Sequence, residues 1–229
     1  VALANFLVKM GARIGGIGTA KMEIEGVDQL HPVDETMIPD RIEAGTFLVA
    51  AAITGGTVTI EHCQPSHLTA ILSKLEEAGA SIQIGDTWIT ISMPRSIKSV
   101  NVTTEIYPGF PTDMQAQWMS LMSIAKGSAT ITDSIYYDRF KHVPELLRLG
   151  ASIVLNQNSA IVHGVKKLAG AKVMSTDLRA SASLVLSGLV AEGKTEVLRV
   201  YHLDRGYEAI EKKLLSLGAK IKRVSGQEY

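Results

Sequence analysis

A single cysteine, Cys63, stands in the 229 residues, so no internal disulfide framework exists and a reducing compartment is implied. Aromatic residues amount to 5%, too few for the platforms on which single-stranded nucleic acids stack. Neither sign of charge is in excess. Lys and Arg number 23 against 23 Asp and Glu, which removes the electrostatic footprint of a nucleic-acid or anionic-membrane binder. The longest apolar runs, such as 47–53, fall far short of the ~20 residues of a bilayer span. No secretory signal opens the chain. The expectation is a soluble, cytoplasmic protein with neither nucleic acid nor membrane as partner. The six histidines show no ligand spacing with one another or with Cys63, so no metal is expected. Gly15-Gly16-Ile17-Gly18 lacks the third glycine of a dinucleotide fingerprint and follows a helical stretch, so it reads as a turn. No phosphate-cradling G-x-x-x-x-G-K-[ST] loop occurs, and no cofactor is implied.

What the chain does contain is a repeat. Gly11-Ala12-Arg13-Ile14 returns as Gly79-Ala80-Ser81-Ile82, Gly150-Ala151-Ser152-Ile153 and Gly218-Ala219-Lys220-Ile221, at intervals of about 70 residues. Each copy closes a helical stretch with glycine and opens a strand-like run. A second recurrence interleaves with it. Arg41 to Ile53, Met114 to Ala125 and Leu178 to Ala191 are helical, rich in Ala, Leu and Met, and apolar around most of their circumference, which predicts burial on all sides. Asp40, Asp113 and Asp177 stand at their starts as expected N-caps. The other helix of each unit is amphipathic, as at Ser66 to Ala78, where Leu68, Ile71, Leu72 and Leu75 share a face. Ser81 to Ile84 and Trp88 to Ile91 alternate around a Gly85-Asp86-Thr87 turn.

The unit is therefore strand, amphipathic helix, strand, strand, loop, buried helix, with sheets packed outside a bundle of inner helices. The expected organisation is the tail of a preceding domain at 1–30, a linker at 31–38, and a three-repeat α/β domain at 39–229, truncated because the first unit lacks its front half.

Some residues are not explained by structure alone. Phe110-Pro111-Thr112-Asp113-Met114-Gln115 and Ser175-Thr176-Asp177-Leu178-Arg179-Ala180 place carboxylates at the mouths of buried helices, the second with an arginine just inside. Asp138-Arg139-Phe140 and Asp204-Arg205-Gly206-Tyr207 add arginines in loops before amphipathic helices. Helix N-termini with arginines suit anions, and the guanidinium fork fits phosphate and carboxylate. A small polyanionic substrate follows, with a carboxylate positioned for proton transfer. Cys63, after a strand and without an evident basic partner, reads as an incidental thiol.

The runs 110–117, 139–146, 176–182 and 204–208 resemble the UDP-N-acetylglucosamine enolpyruvyl transferases, and the resemblance covers the whole chain. It implies an inside-out α/β barrel of repeated units and transfer of the enolpyruvyl group of phosphoenolpyruvate to the 3-hydroxyl of UDP-N-acetylglucosamine, with release of phosphate. That reaction is the first committed step of peptidoglycan synthesis. The resemblance makes Asp113 the base for the sugar hydroxyl and a contact to the nucleotide sugar. It sets Asp177 close to the reacting centre, Arg179 and Arg205 on phosphoenolpyruvate, Arg139 at the domain interface and Ile135 as a backbone contact to the nucleotide sugar. The family's mobile-loop cysteine and Lys-Asn pair have no counterpart here, and Cys63 is not that cysteine. The partners implied are the two substrates and a missing N-terminal domain of the same protein. Without that second wall of the cleft, the chain alone is expected to be inactive. The rival readings are a 3-phosphoshikimate enolpyruvyl transferase, which the 110–117 run argues against, and a non-catalytic repeat module used for binding. A third, an RNA-processing enzyme of similar repeats, is disfavoured by the balanced charge.

Overall fold

The computed structural model describes residues 1–94 and 96–225, so Arg95 and the last four positions of the expected 39–229 domain lie outside the described residues. The chain divides into two units, Val1–Pro39 and Asp40–Tyr229.

In the first unit, helix α1 (Ala2–Lys9) is followed by an antiparallel ribbon of β1 (Arg13–Gly15) and β2 (Glu23–Glu25), with Ile14 opposite Ile24. The glycine-rich stretch forms the connection between the two strands. Gly16 sits at φ +71°, and a Cβ there would lie 2.2 Å from the Lys21 carbonyl oxygen, so the position requires glycine. The 31–38 segment has no regular element, yet it is tied to this unit. The His31 N–H donates to the Met10 carbonyl at 2.8 Å, and Lys9 pairs with Glu35.

The second unit runs α2 (Arg41–Thr54), β3 (Thr57–Glu61), α3 (Thr69–Glu77), β4 (Ser81–Ile84), β5 (Trp88–Ser92), β6 (Val102–Thr104), α4 (Gln115–Met122), β7 (Ser128–Asp133), α5 (Val143–Arg148), β8 (Ser152–Asn156), β9 (Ser159–His163), β10 (Lys172–Met174), α6 (Leu178–Val190), β11 (Glu196–Leu198) and α7 (Ile210–Ser216). The inner helices α2, α4 and α6 pack against one another. Every residue of α4 is buried, as is nearly all of α2. Gly45 on α2 leaves room for large neighbours: a Cβ there would meet Met114 Sδ at 3.1 Å and Ile71 Cδ1 at 3.2 Å. Leu48, Trp118, Leu121 and Leu184 fill the space between them and the sheets, each fully buried. The outer helices follow the amphipathic rule. In α3, Ile71, Leu72 and Leu75 are buried and Lys74 pairs with Glu77 on the outside.

Three sheets surround the inner helices. One has the order β3-β5-β4, antiparallel throughout, with Ile60 opposite Ile89 and Val58 opposite Ile91. Its inner face buries Ile89 and Ile91, while the outer face carries the Thr59–Thr90 hydroxyl pair. The Gly85 N–H donates to the Trp88 carbonyl at 2.9 Å and closes the expected hairpin. The second sheet has the order β6-β7-β9-β8, and the third joins β10 to β11. No helix is long and apolar enough to cross a membrane, among the described residues.

Two elements depart from the sequence expectation. β6 and β10 fall in stretches read as loop, because three residues show no period and become strands through a parallel neighbour. β6 pairs with β7 and β10 with β11, each across an inner helix. Conversely, the fourth copy of the glycine phrase opens no strand among the described residues: Gly218 takes φ +96° like its counterparts, but 219–225 find no ladder partner. The parallel pairs position the candidate residues, since their carboxyl ends lead into 105–113, 134–139, 175–179 and 199–205. Ligands of open α/β sheets bind outside such ends.

Candidate active site

Asp113 does not cap a helix. It lies in a 3₁₀ turn, Thr112–Met114, that runs directly into α4, whose N-cap position Met114 provides no side-chain hydrogen bond. This corrects the sequence expectation. At the other two starts the expected caps form: Asp40 accepts from the Ile42 and Glu43 N–H groups, and Asp177 from Arg179 and Ala180 at 2.8 and 2.9 Å. With no capping duty, the Asp113 carboxylate turns to two arginines. Its Oδ1 lies 2.7 Å from Arg139 Nη2 and 3.4 Å from Arg179 Nε. Arg139 Nη1 also donates to Thr112 Oγ1 at 3.1 Å. Burial raises the carboxyl's pKa, but the nearby charges of Arg179 and Arg139 and their hydrogen bonds outweigh it, and the net lies below the ordinary value. Asp113 is therefore an ionised, half-buried carboxylate held between two cations.

The loop after β7 is organised by a residue that sequence reasoning missed. Asp133 is fully buried at the end of that strand. Its Oδ1 accepts from Thr104 Oγ1 (2.7 Å) and from the N–H groups of Ile135 (3.1 Å) and Tyr136 (2.8 Å), and its Oδ2 accepts from Thr112 Oγ1 (2.7 Å). One carboxylate thus ties the strand ends, the Ile135 loop and the turn bearing Asp113. The Ile135 N–H is used internally, and its side chain stands exposed beside those of Tyr136 and Tyr137. Arg139 Cζ lies 5.9 Å from the centre of the Tyr136 ring.

Asp177 and Arg179 share the first turn of α6. Arg179 reaches Asp113 with Nε and the Tyr207 hydroxyl with Nη1 at 3.3 Å. Tyr207, Thr46 and Gln117, to which sequence reasoning gave no role, are buried together behind it. His142, also fully buried, feels the charges of Asp177 and Arg139. Burial dominates, and its pKa falls to about 4, so the imidazole is neutral. Arg205 is not drawn into the cluster. It ends the 3₁₀ segment Val200–Arg205, exposed and without an ion pair among the described residues. Its neighbour Asp204 is instead engaged by Arg223 at 2.6 and 2.9 Å.

Asp113, Arg139 and Arg179 are thus in direct contact, with Asp177 and Ile135 on the adjoining turns. A groove of about 470 Å³ exists elsewhere, lined by the C-terminal turns of α2 and α6 and by 214–220. It contains none of these residues, and its lining is polar and apolar in nearly equal parts. Cys63 is a buried thiol whose pKa burial raises, and it takes no part in the cluster. No group of three potential metal ligands occurs among the described residues.

Comparison with known proteins adds to this geometry. The family model for EPSP synthase (3-phosphoshikimate 1-carboxyvinyltransferase) matches residues 1–214. The UDP-N-acetylglucosamine 1-carboxyvinyltransferase of Chloroherpeton thalassium is 59% identical over 229 residues, and that of Geotalea daltonii 57% over 224. These alignments cover 100% and 98% of this chain but 53% and 54% of the relatives, so the chain spans about half the length of the curated relatives it matches. Among solved structures, the enolpyruvyl transferase NikO from Streptomyces tendae superposes with a TM-score of 0.84 at 27% identity, over 96% of this chain and 53% of that one. EPSP synthase from Acinetobacter baumannii gives 0.71 at 18% over 97% and 55%, which shows the shared fold. The inside-out arrangement, the matched length and the close relatives agree: the chain belongs to the EPSP synthase (3-phosphoshikimate 1-carboxyvinyltransferase) family of enolpyruvyl transferases.

Proposed function

We propose that the protein containing this chain transfers the enolpyruvyl group of phosphoenolpyruvate to the 3-hydroxyl of UDP-N-acetylglucosamine, in the cytoplasm, at the first committed step of peptidoglycan synthesis. The observation that carries this reading is the Asp113 carboxylate held between Arg139 and Arg179 at the carboxyl ends of two parallel strand pairs. The choice of acceptor rests on the 57–59% identity to enzymes named for UDP-N-acetylglucosamine.

In the reaction the sugar oxygen bonds to the carbon that carried the phosphate, the carbon–oxygen bond to phosphate breaks, and the hydroxyl proton leaves to a base. Asp113 is that base. Its carboxylate is ionised, and a positioned base of this kind contributes on the order of 10²–10⁴ in rate. The donor carries a carboxylate and a phosphate, which suit the guanidinium groups of Arg179 and Arg205. An anion drawn to Nη2 of Arg179, free among the described residues, competes with Asp113 for the adjoining Nε. Binding the donor therefore loosens the ion pair and raises the basicity of Asp113 when the proton must move. Asp177 holds the turn that presents Arg179, close to the reacting centre. Ile135, exposed on the loop fixed by Asp133, offers its carbonyl to the nucleotide sugar.

This chain provides one wall of the site, and the remainder of the protein provides the other. Asp113→Asn tests the assignment directly. Asparagine keeps an acceptor oxygen for Arg139 and Arg179, and no helix cap is lost, so the thermal midpoint stays within a few degrees of the parent while turnover falls by about 10²–10⁴. Turnover within twofold of the parent would remove Asp113 from the chemistry and favour the binding-module reading.

A further inference from the structure

The hydroxyl of Tyr207 contacts all three inner helices. It lies 2.8 Å from Thr46 Oγ1 on α2, 3.3 Å from Gln117 Nε2 on α4 and 3.3 Å from Arg179 Nη1 on α6. Thr46 and Gln117 are fully buried, as is Tyr207. We infer that Tyr207 is a positioning residue for Arg179, fixing which guanidinium N–H groups are presented to the donor anion.

Proton directions follow from the partners. Thr46 Oγ1 lies 2.8 Å from the Ile42 carbonyl, which can only accept, so the Thr46 proton goes there. Thr46 must then accept, from the Tyr207 hydroxyl and from Gln117 Nε2 at 3.1 Å. With its single proton committed to Thr46, the Tyr207 oxygen is left as an acceptor for Gln117 and Arg179. The chain Arg179 to Tyr207 to Thr46 to Ile42 runs in one direction and ends on backbone. Burial pushes the Tyr207 pKa up, so the phenol keeps the proton this ordering needs.

Arg179 is thereby held on two edges, Nη1 by Tyr207 and Nε by Asp113, with its Cζ 5.8 Å from the centre of the Tyr207 ring. Nη2 has no partner among the described residues and is the edge left for an anion. Should the donor displace Asp113, Tyr207 remains the fixed anchor of the guanidinium. Phenylalanine would fill the same volume, so the hydroxyl is not a packing requirement. Its removal would leave N–H groups of Arg179 and Gln117 without their acceptor and the guanidinium free to rotate.

The inference rests on the proposed reading of Arg179 as a donor ligand, and the test separates the two. In the full-length protein, Tyr207→Phe is expected to raise the KM for phosphoenolpyruvate about tenfold, the effect of losing one hydrogen bond to a charged group, while the KM for UDP-N-acetylglucosamine stays within about twofold. Affinity for inorganic phosphate, measured by calorimetry, should fall by a similar factor. Thr46→Val, which removes the acceptor behind Tyr207, should act in the same direction but less, about threefold, and serves as the test if Tyr207→Phe does not fold. A lowered thermal midpoint with unchanged phosphoenolpyruvate KM and phosphate affinity would make Tyr207 merely structural and overturn the inference. A parent protein that binds no phosphate would overturn it too. A parent that transfers nothing to the nucleotide sugar, yet binds phosphate and loses affinity in Tyr207→Phe, would retain the positioning role and reject the proposed function.

Discussion

Asp113 and Arg139, 26 residues apart in sequence, meet through a 2.7 Å ion pair in which the cation also holds the neighbouring Thr112 hydroxyl. The contact fixes the carboxylate in charged form and occupies it. Its partners are groups an anionic substrate would seek, so on the proposed reading Asp113 and the substrate compete for the same cations.

That competition has a direct consequence. Asp113→Asn removes the internal anion, so Arg139 and Arg179 become more available to an external one. Inorganic phosphate should bind the variant several-fold more tightly than the parent, even as turnover collapses. Calorimetry with phosphate checks this, and weaker binding in the variant would show that these arginines do not face the ligand.

Arg179 and Arg205, both proposed to hold the donor, differ in their other contacts. Arg205 is exposed and unpaired among the described residues, so Arg205→Ala should change stability by less than about 0.5 kcal/mol while raising the phosphoenolpyruvate KM. Arg179 is wedged between Asp113 and Tyr207, and Arg179→Ala should lower both donor affinity and the thermal midpoint. Paired melting curves and KM values separate the two roles.

Asp133 accepts hydrogen bonds from four donors in a fully buried position. Asp133→Asn weakens the acceptor left to Thr104 and the two amides and turns a donor toward Thr112 Oγ1, whose hydroxyl must then accept instead of donate. The expected cost is about 1–3 kcal/mol, with weakened binding of the nucleotide sugar because the Ile135 and Tyr136 amides keep only a weaker acceptor. Urea denaturation gives the first quantity and calorimetry the second. An unchanged denaturation midpoint would contradict the assigned network.

His142 sets a pH dependence. Its folded pKa of about 4 lies below the unfolded value of about 6.5, so the unfolded chain binds more protons between those values. Stability is then fully present above about pH 6.5 and declines as the pH falls toward 4, by up to about 3 kcal/mol. His142→Met, similar in bulk and without a titrating group, should flatten that slope. Urea midpoints at pH 7.5 and 5.0 for both proteins make the comparison. Asp113 contributes nothing in that window, because its depressed pKa matters only below the ordinary carboxylate range.

Much of the architecture is legible in the sequence, because the glycine phrase marks the outer helix ends and the alanine-rich stretches cannot be surface helices. Gly79, Gly150 and Gly218 all take the left-handed conformation that the recurrence implies. What the sequence hides is long-range. β6 and β10 have no local signature and exist through parallel neighbours, β7 and β11. Asp113 looks like Asp40 and Asp177, yet a 3₁₀ turn before α4 moves its carboxylate away from the helix N–H groups and toward two arginines. Asp133 gives no signal beyond a polar end to a strand, and Tyr207 meets Thr46 from 161 residues away. Those contacts depend on three repeats closing around one bundle, which no local pattern encodes.

Phosphate release from phosphoenolpyruvate by the full-length protein, with either UDP-N-acetylglucosamine or shikimate 3-phosphate as acceptor, decides between the transferase readings. The expected result is release with the nucleotide sugar alone, and none from the isolated 229-residue chain with either acceptor. Release with shikimate 3-phosphate, or with neither acceptor, would contradict it.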